Sequence, residues 1–95
     1  MISIGDIVKC ESHCTKISIP EALVWRTEDI GFTVCSLYKG ANIPTSYFFA
    51  ADELTVVETP KFEKDARRII KLLLREYFDR LTNFEILQLD ARLKK

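Results

Sequence analysis

Thr55-Val56-Val57-Glu58-Thr59-Pro60-Lys61-Phe62-Glu63-Lys64-Asp65-Ala66 is the stretch in which the chain changes its periodicity. Up to Glu58 the pattern is β-branched and short-ranged, as in a strand. From Lys61 the residues are good helix formers, and no Gly or further Pro interrupts them to Lys95. Pro60 stands where a first helical turn tolerates a missing N–H. The charge changes at the same place. Residues 1–59 carry eight Asp/Glu against four Lys/Arg, and residues 60–95 carry ten Lys/Arg against six Asp/Glu. The two halves, near −4 and +4, cancel over the 95 residues. The sequence therefore predicts an α+β protein with a β-unit over 1–59 and amphipathic helices over 60–95, packed on that unit or on a partner.

Toward the N-terminus, Gly5-Asp6 marks a turn before a strand, Ile7-Val8-Lys9-Cys10. Ile17-Ser18-Ile19 alternates briefly and is expected to stop at Pro20. Ala22-Leu23-Val24-Trp25-Arg26 is a second apolar run. Phe32 to Tyr38 is the clearest strand, with Phe32, Val34, Ser36 and Tyr38 on one face and Thr33, Cys35 and Leu37 on the other. Ser46-Tyr47-Phe48-Phe49-Ala50 and Thr55-Val56-Val57-Glu58 complete the set. Ala51-Asp52-Glu53-Leu54 suits one helical turn between them.

Four to five short strands in under sixty residues should curl into a small barrel, since a flat sheet would leave open edges and one bare face. The order of signals resembles SH3-like barrels. It opens on Ile4-Gly5-Asp6-Ile7-Val8 and closes on Asp52-Glu53-Leu54-Thr55-Val56-Val57. The resemblance covers about residues 3–58 and implies a binding scaffold rather than a catalyst. Such barrels often bind through aromatic loop residues, which makes Tyr38 and Tyr47, on either side of the Lys39–Ser46 turn, candidate contacts.

Toward the C-terminus, Phe62, Ala66, Ile69, Ile70, Leu73, Tyr77 and Leu81 form one helical stripe. Lys64, Arg67, Arg68, Lys71 and Arg75 gather opposite it as a basic ridge, with Arg75 and Asp79 spaced for an i,i+4 pair. Thr82 and Glu85 have the spacing of a capping box, with Leu81 and Ile86 placed as its hydrophobic staple. A second helix follows from about 83 to 93. The alternation of Leu87, Leu89, Ala91 and Leu93 leaves a strand open there, although helix propensity favours the helix. As a helix it is apolar on two sides, with Ile86, Leu89 and Leu93 facing one way and Phe84, Leu87 and Ala91 the other. That excess predicts a partner or a homodimer.

Chemistry-bearing clusters are few. Cys10, His13, Cys14 and Cys35 are the only soft-ligand set, but the Cys-x-x-Cys knuckle of zinc sites is missing. No metal and no cofactor is expected. The single histidine, the isolated glycines and the turn-type carboxylates do not compose a catalytic constellation, so the expectation is a non-enzyme. No apolar run approaches the ~20 residues of a membrane span. Met1 to Asp6 lacks the features of a secretory signal, and three cysteines without one suit a cytoplasmic protein. The expected function is a small adaptor or regulator acting by protein–protein contact through its helices. Lys64, Arg68, Lys71 and Arg75 would meet an acidic patch on the partner. The alternative is a nucleic-acid-associated regulator that binds phosphates through the same ridge.

Overall fold

A computed structural model of the chain describes residues 2–38, 40, 46–58 and 61–94. Five strands, β1 (Ile7–Glu11), β2 (Ser18–Thr27), β3 (Gly31–Ser36), β4 (Ser46–Ala50) and β5 (Leu54–Val56), precede two helices, α1 (Glu63–Glu76) and α2 (Asn83–Leu93). The strands form one antiparallel sheet in the order β4-β3-β2-β1-β5. Among the described residues β4 and β5 are its open edges. A 3-10 turn over Ala51–Glu53, where one helical turn was expected, joins them. Laid flat, four strand intervals would separate the edges by about 19 Å. The four steps from Ala50 to Leu54 cannot reach beyond about 14 Å even when extended. The sheet is therefore curled, and its concave face holds Val8, Cys10, Ile19, Ala22, Val24, Val34, Phe49 and Leu54, drawn from all five strands.

The opposite face is covered by the helices. Ile7, Leu23, Trp25, Cys35 and Leu37 pack with Ala66, Ile69, Ile70 and Leu73 of α1, with Leu81, and with Leu89 of α2 in a single cluster. Successive β2 residues thus alternate between two interiors, Ala22 and Val24 to one and Leu23 and Trp25 to the other. The face division read from β3 holds, with Val34 on the concave side and Cys35 and Leu37 toward the helices.

Several boundaries differ from the sequence reading, the end of β3 at Ser36 rather than Tyr38 among them. Pro20 lies inside β2 rather than ending a run. Ala22 pairs with Val8 and Ile19 with Cys10, so Pro20 and Glu21 together oppose Lys9 as a bulge. On the other side β3 has already ended at Ser36, so no ladder bond is asked of the missing N–H. The fifth strand begins at Leu54 and ends at Val56. The first helix stops at Glu76, followed by a 3-10 turn over Phe78–Arg80 that returns Leu81 to the core. The guanidinium of Arg26 on β2 accommodates this turn by donating to the Arg80 carbonyl at 2.7 Å. Thr59 and Pro60, expected to open that helix, lie outside the described residues, as do Lys39 and residues 41–45 of the β3–β4 turn.

Buried polar groups fasten the helices to the sheet. Glu21 accepts from the backbone N–H groups of Lys61 and, at 3.3 Å, Phe62, supplying acceptors at the start of α1. Arg92 on α2 holds both carboxylate oxygens of Glu63 at 2.7 Å and donates to the Gly5 carbonyl at 3.1 Å. Gly5 has φ +95, and a Cβ there would lie 3.1 Å from the Arg92 Cβ, so both conformation and closeness call for glycine. The capping box of α2 is present as read, with Glu85 accepting from Thr82 N–H at 2.8 Å and Thr82 Oγ1 accepting from Glu85 N–H at 3.2 Å.

Three expectations follow for stability. Leu23→Ala should cost about 2–5 kcal/mol in chemical denaturation, because it opens a cavity between sheet and helices. Leu87→Ala, at a site 66% exposed, should stay within about 0.5 kcal/mol. Glu21→Ala should cost about 1–3 kcal/mol in chemical denaturation by leaving the first amides of α1 without their acceptor.

Candidate functional site

The two sides of α1 have separate work. Ala66, Ile69, Ile70 and Leu73 are withdrawn into the core, which turns Lys64, Arg68, Lys71 and Arg75 outward. Arg67, grouped with these by its position in the sequence, leaves the ridge and donates to the Leu93 carbonyl at 2.7 Å, at the C-terminal end of α2. A cation there also suits the negative end of that helix. Arg75 meets Glu76 at 3.5 Å rather than Asp79. Asp79 lies beyond the end of α1, so the i,i+4 geometry it needs does not exist.

The four remaining cations line two neighbouring clefts. The first, about 650 Å³, is bounded by Gly40, Lys61, Phe62, Glu63, Lys64, Asp65 and Arg68. The second, about 260 Å³, is bounded by Arg68, Lys71, Leu72 and Arg75. Arg68 is common to both and is held in place by the buried carboxylate of Asp65, which also accepts from Gly40 N–H at 3.1 Å. That contact ties the helix to the β3–β4 connection. Among the described residues no carboxylate lies within ion-pair distance of Lys64 or Lys71. The site is a row of cations with an apolar patch beside each half. Its apolar members are Phe62, which the helical stripe places toward the core and which also packs there, and Leu72. Their role beside the cations depends on how α1 is rotated against the sheet, which the sequence does not print.

Tyr38 is 53% exposed and stands two residues before Gly40, which lines the first cleft. Tyr47 is opposite Val34 in the β3–β4 ladder and so belongs to the concave side of the sheet, away from the helices. The two tyrosines therefore do not belong to one site with the ridge. On α2 the predicted division holds: Leu89 is buried, Ile86 and Leu93 pack on the core, and Phe84 and Leu87 are exposed, as is Phe78 before them.

The soft-ligand set does not converge. Cys10 lies in the concave cluster and Cys35 on the helix-covered side, with the sheet between them, while Cys14 is exposed. Burial pushes the thiols of Cys10 and Cys35 up to about 12. No group of three or more metal-ligating side chains occurs among the described residues. His13 is fixed through its backbone N–H, which donates to Glu53 at 2.7 Å, and its ring lies 3.9 Å from Asp52. The His13 and Ala50 N–H groups hold the Glu53 carboxyl below the usual carboxylate range. This arrangement pins the β1–β2 loop to the 3-10 turn.

Comparison with protein-family models, curated proteins and solved structures gave no match to the chain. No helix among the described residues is long and apolar enough to cross a membrane.

Thiol accessibility checks the placement of the cysteines. A thiol reagent at pH 8 should label Cys14 alone in the folded protein and all three cysteines after denaturation, because reaction needs an accessible thiolate. Rapid labelling of a second cysteine in the folded state would contradict the burial of Cys10 and Cys35.

Proposed function

We propose that this protein is a small non-enzymatic adaptor that binds another protein through its C-terminal helices. The ridge Lys64, Arg68, Lys71 and Arg75 meets an acidic patch on that partner. The observation carrying the proposal is the combination on α1: its apolar side is spent in the core, while its other side sets cations around two clefts with Phe62 and Leu72 within reach. A merely solvated face needs neither the clefts nor a central arginine fixed by a buried carboxylate. Phe84 and Leu87 give α2 a second, apolar contact, suited to the same partner or to a second copy of the chain.

The scaffold reading belongs to the same proposal. The strand order, the 3-10 turn between the last two strands and the single concave cluster support an SH3-like barrel, left open between β4 and β5. The cysteine burial and the absence of an apolar span among the described residues are compatible with a cytoplasmic home.

Charge reversal at Lys64 and Lys71 tests the ridge without disturbing its support, since both side chains are exposed and neither holds another element in place. The double variant Lys64→Glu, Lys71→Glu should keep its circular dichroism and lose no more than about 1 kcal/mol of stability. Proteins that co-purify with the wild type from native cells should be absent with the variant, and nuclease treatment should not release them. Unchanged capture by the variant would reduce the ridge to a solvated face. Release by nuclease, together with steep salt dependence, would favour phosphate binding instead.

A further inference from the structure

Resting on the function proposed above, we propose that the occupant of the ridge is an acidic amphipathic α-helix lying lengthwise along α1. Its carboxylates follow one line at three- and four-residue steps, with apolar side chains beside that line reaching the Phe62 and Leu72 clefts. Lys64, Arg68, Lys71 and Arg75 are separated by four, three and four residues. At 100° per residue they stay within an arc of about 60° over about 16 Å of helix, a straight seam. The rise between successive cations is therefore about 6, 4.5 and 6 Å. A neighbouring helix with the same step pattern repeats these intervals and can set a carboxylate opposite each of the four, at the four-three alternation by which seam positions recur along two helices of a coiled coil. An extended acidic segment presents same-side residues only every ~6.6–6.8 Å, so it loses register within the length of the seam.

The clefts argue for a side-chain-bearing partner. Leu72 lines the cleft between Arg68 and Arg75, and Phe62 lines the one between Lys61 and Arg68. Phe62 and Leu72 stand ten residues apart, about 15 Å of helix, so apolar residues about three turns apart on an amphipathic helix would reach both clefts while its carboxylates meet the cations. A polynucleotide has no such side chains to place in the clefts. Arg68, already oriented by Asp65, needs little ordering on binding, and its position at the junction of the clefts sets the register.

Four fluorescent probes test this against the full chain by anisotropy at about 0.15 M ionic strength. One is a lactam-locked helix of about 20 residues with Glu at the four-three-four spacing and Leu beside the seam. The second has the same composition with its Glu residues spread around the helix. In the third the acidic sequence is interrupted by prolines, and the fourth is a short DNA duplex. The seam helix should bind about tenfold or more tighter than the second and third probes, a difference of about 1.4 kcal/mol, and Lys64→Glu with Lys71→Glu should abolish its binding. Equal binding of the scattered or proline-broken peptide would overturn the helical occupant while leaving an acid-binding ridge in place. No binding of any acidic peptide, with native partners still lost by the double variant, would also overturn the occupant and leave the adaptor function standing. Tighter binding of the duplex than of every peptide would overturn both.

Discussion

Strand β2 has no solvent face along its middle, and the rest of the structure depends on that. Ala22 and Val24 point into the curl of the sheet, while Leu23 and Trp25 point to the helices. A strand buried on one face can leave the other to water, as many antiparallel sheets do. Here both faces are apolar, so a cover over the convex side is required for the sheet to fold. α1 and α2 supply it. The polar groups at the seam follow the same logic: Glu21, one residue before this run, receives the first amides of α1, and Arg26, one residue after it, holds the turn between α1 and α2. A helix pair attached from both ends of one strand is part of the core.

That constraint decides what the surface has left to offer. Once Ala66, Ile69, Ile70 and Leu73 are committed to the sheet, α1 can meet another molecule only through its charged side. The sequence alone leaves apolar residues on two sides of the second helix, in search of neighbours. In the fold Leu74 and Tyr77 pack against the helix-covered core, and the unsatisfied apolar surface contracts to Phe78, Phe84 and Leu87 in this region. Charge is distributed in the same spirit. Arg67 and Arg92 are consumed in holding the two helices to each other and to Gly5. Lys64 and Lys71 hold nothing within the described residues, and groups with no internal task are where a binding function has room.

Local signals in the sequence were legible where one short segment decides its own conformation. Thr82 and Glu85 complete their capping box within four residues, so α2 could be placed from Asn83 to Leu93, and the strand reading of Leu87 to Leu93 loses to that nucleus. Ser46–Ala50 is a strand as read, and the helical turn expected over Ala51–Leu54 is present over Ala51–Glu53, with Leu54 opening β5. The misses depend on partners distant along the chain. Pro20 looks like a strand breaker until β3 is known to end before reaching it. Glu76 looks like mid-helix until Arg26, fifty residues away in sequence, takes the Arg80 carbonyl. The ridge was visible as periodicity, but the loss of Arg67 from it and the presence of Phe62 and Leu72 beside it required the rotation of α1 on the sheet. Cys10 and Cys35 looked like potential co-ligands because distance in sequence does not reveal that a sheet lies between them.

The integration of sheet and helices is measured most directly by native-state hydrogen exchange. The amide of Val24, bonded to the Asp6 carbonyl at 2.9 Å in β2, and the amides of Ile69, Ile70 and Leu73 in α1 should exchange only through one global opening. They should then show the same free energy and the same denaturant dependence. Exchange of the α1 amides through a smaller opening, with Val24 still fully protected, would mean that the helices are an appendage and that the sheet does not need them.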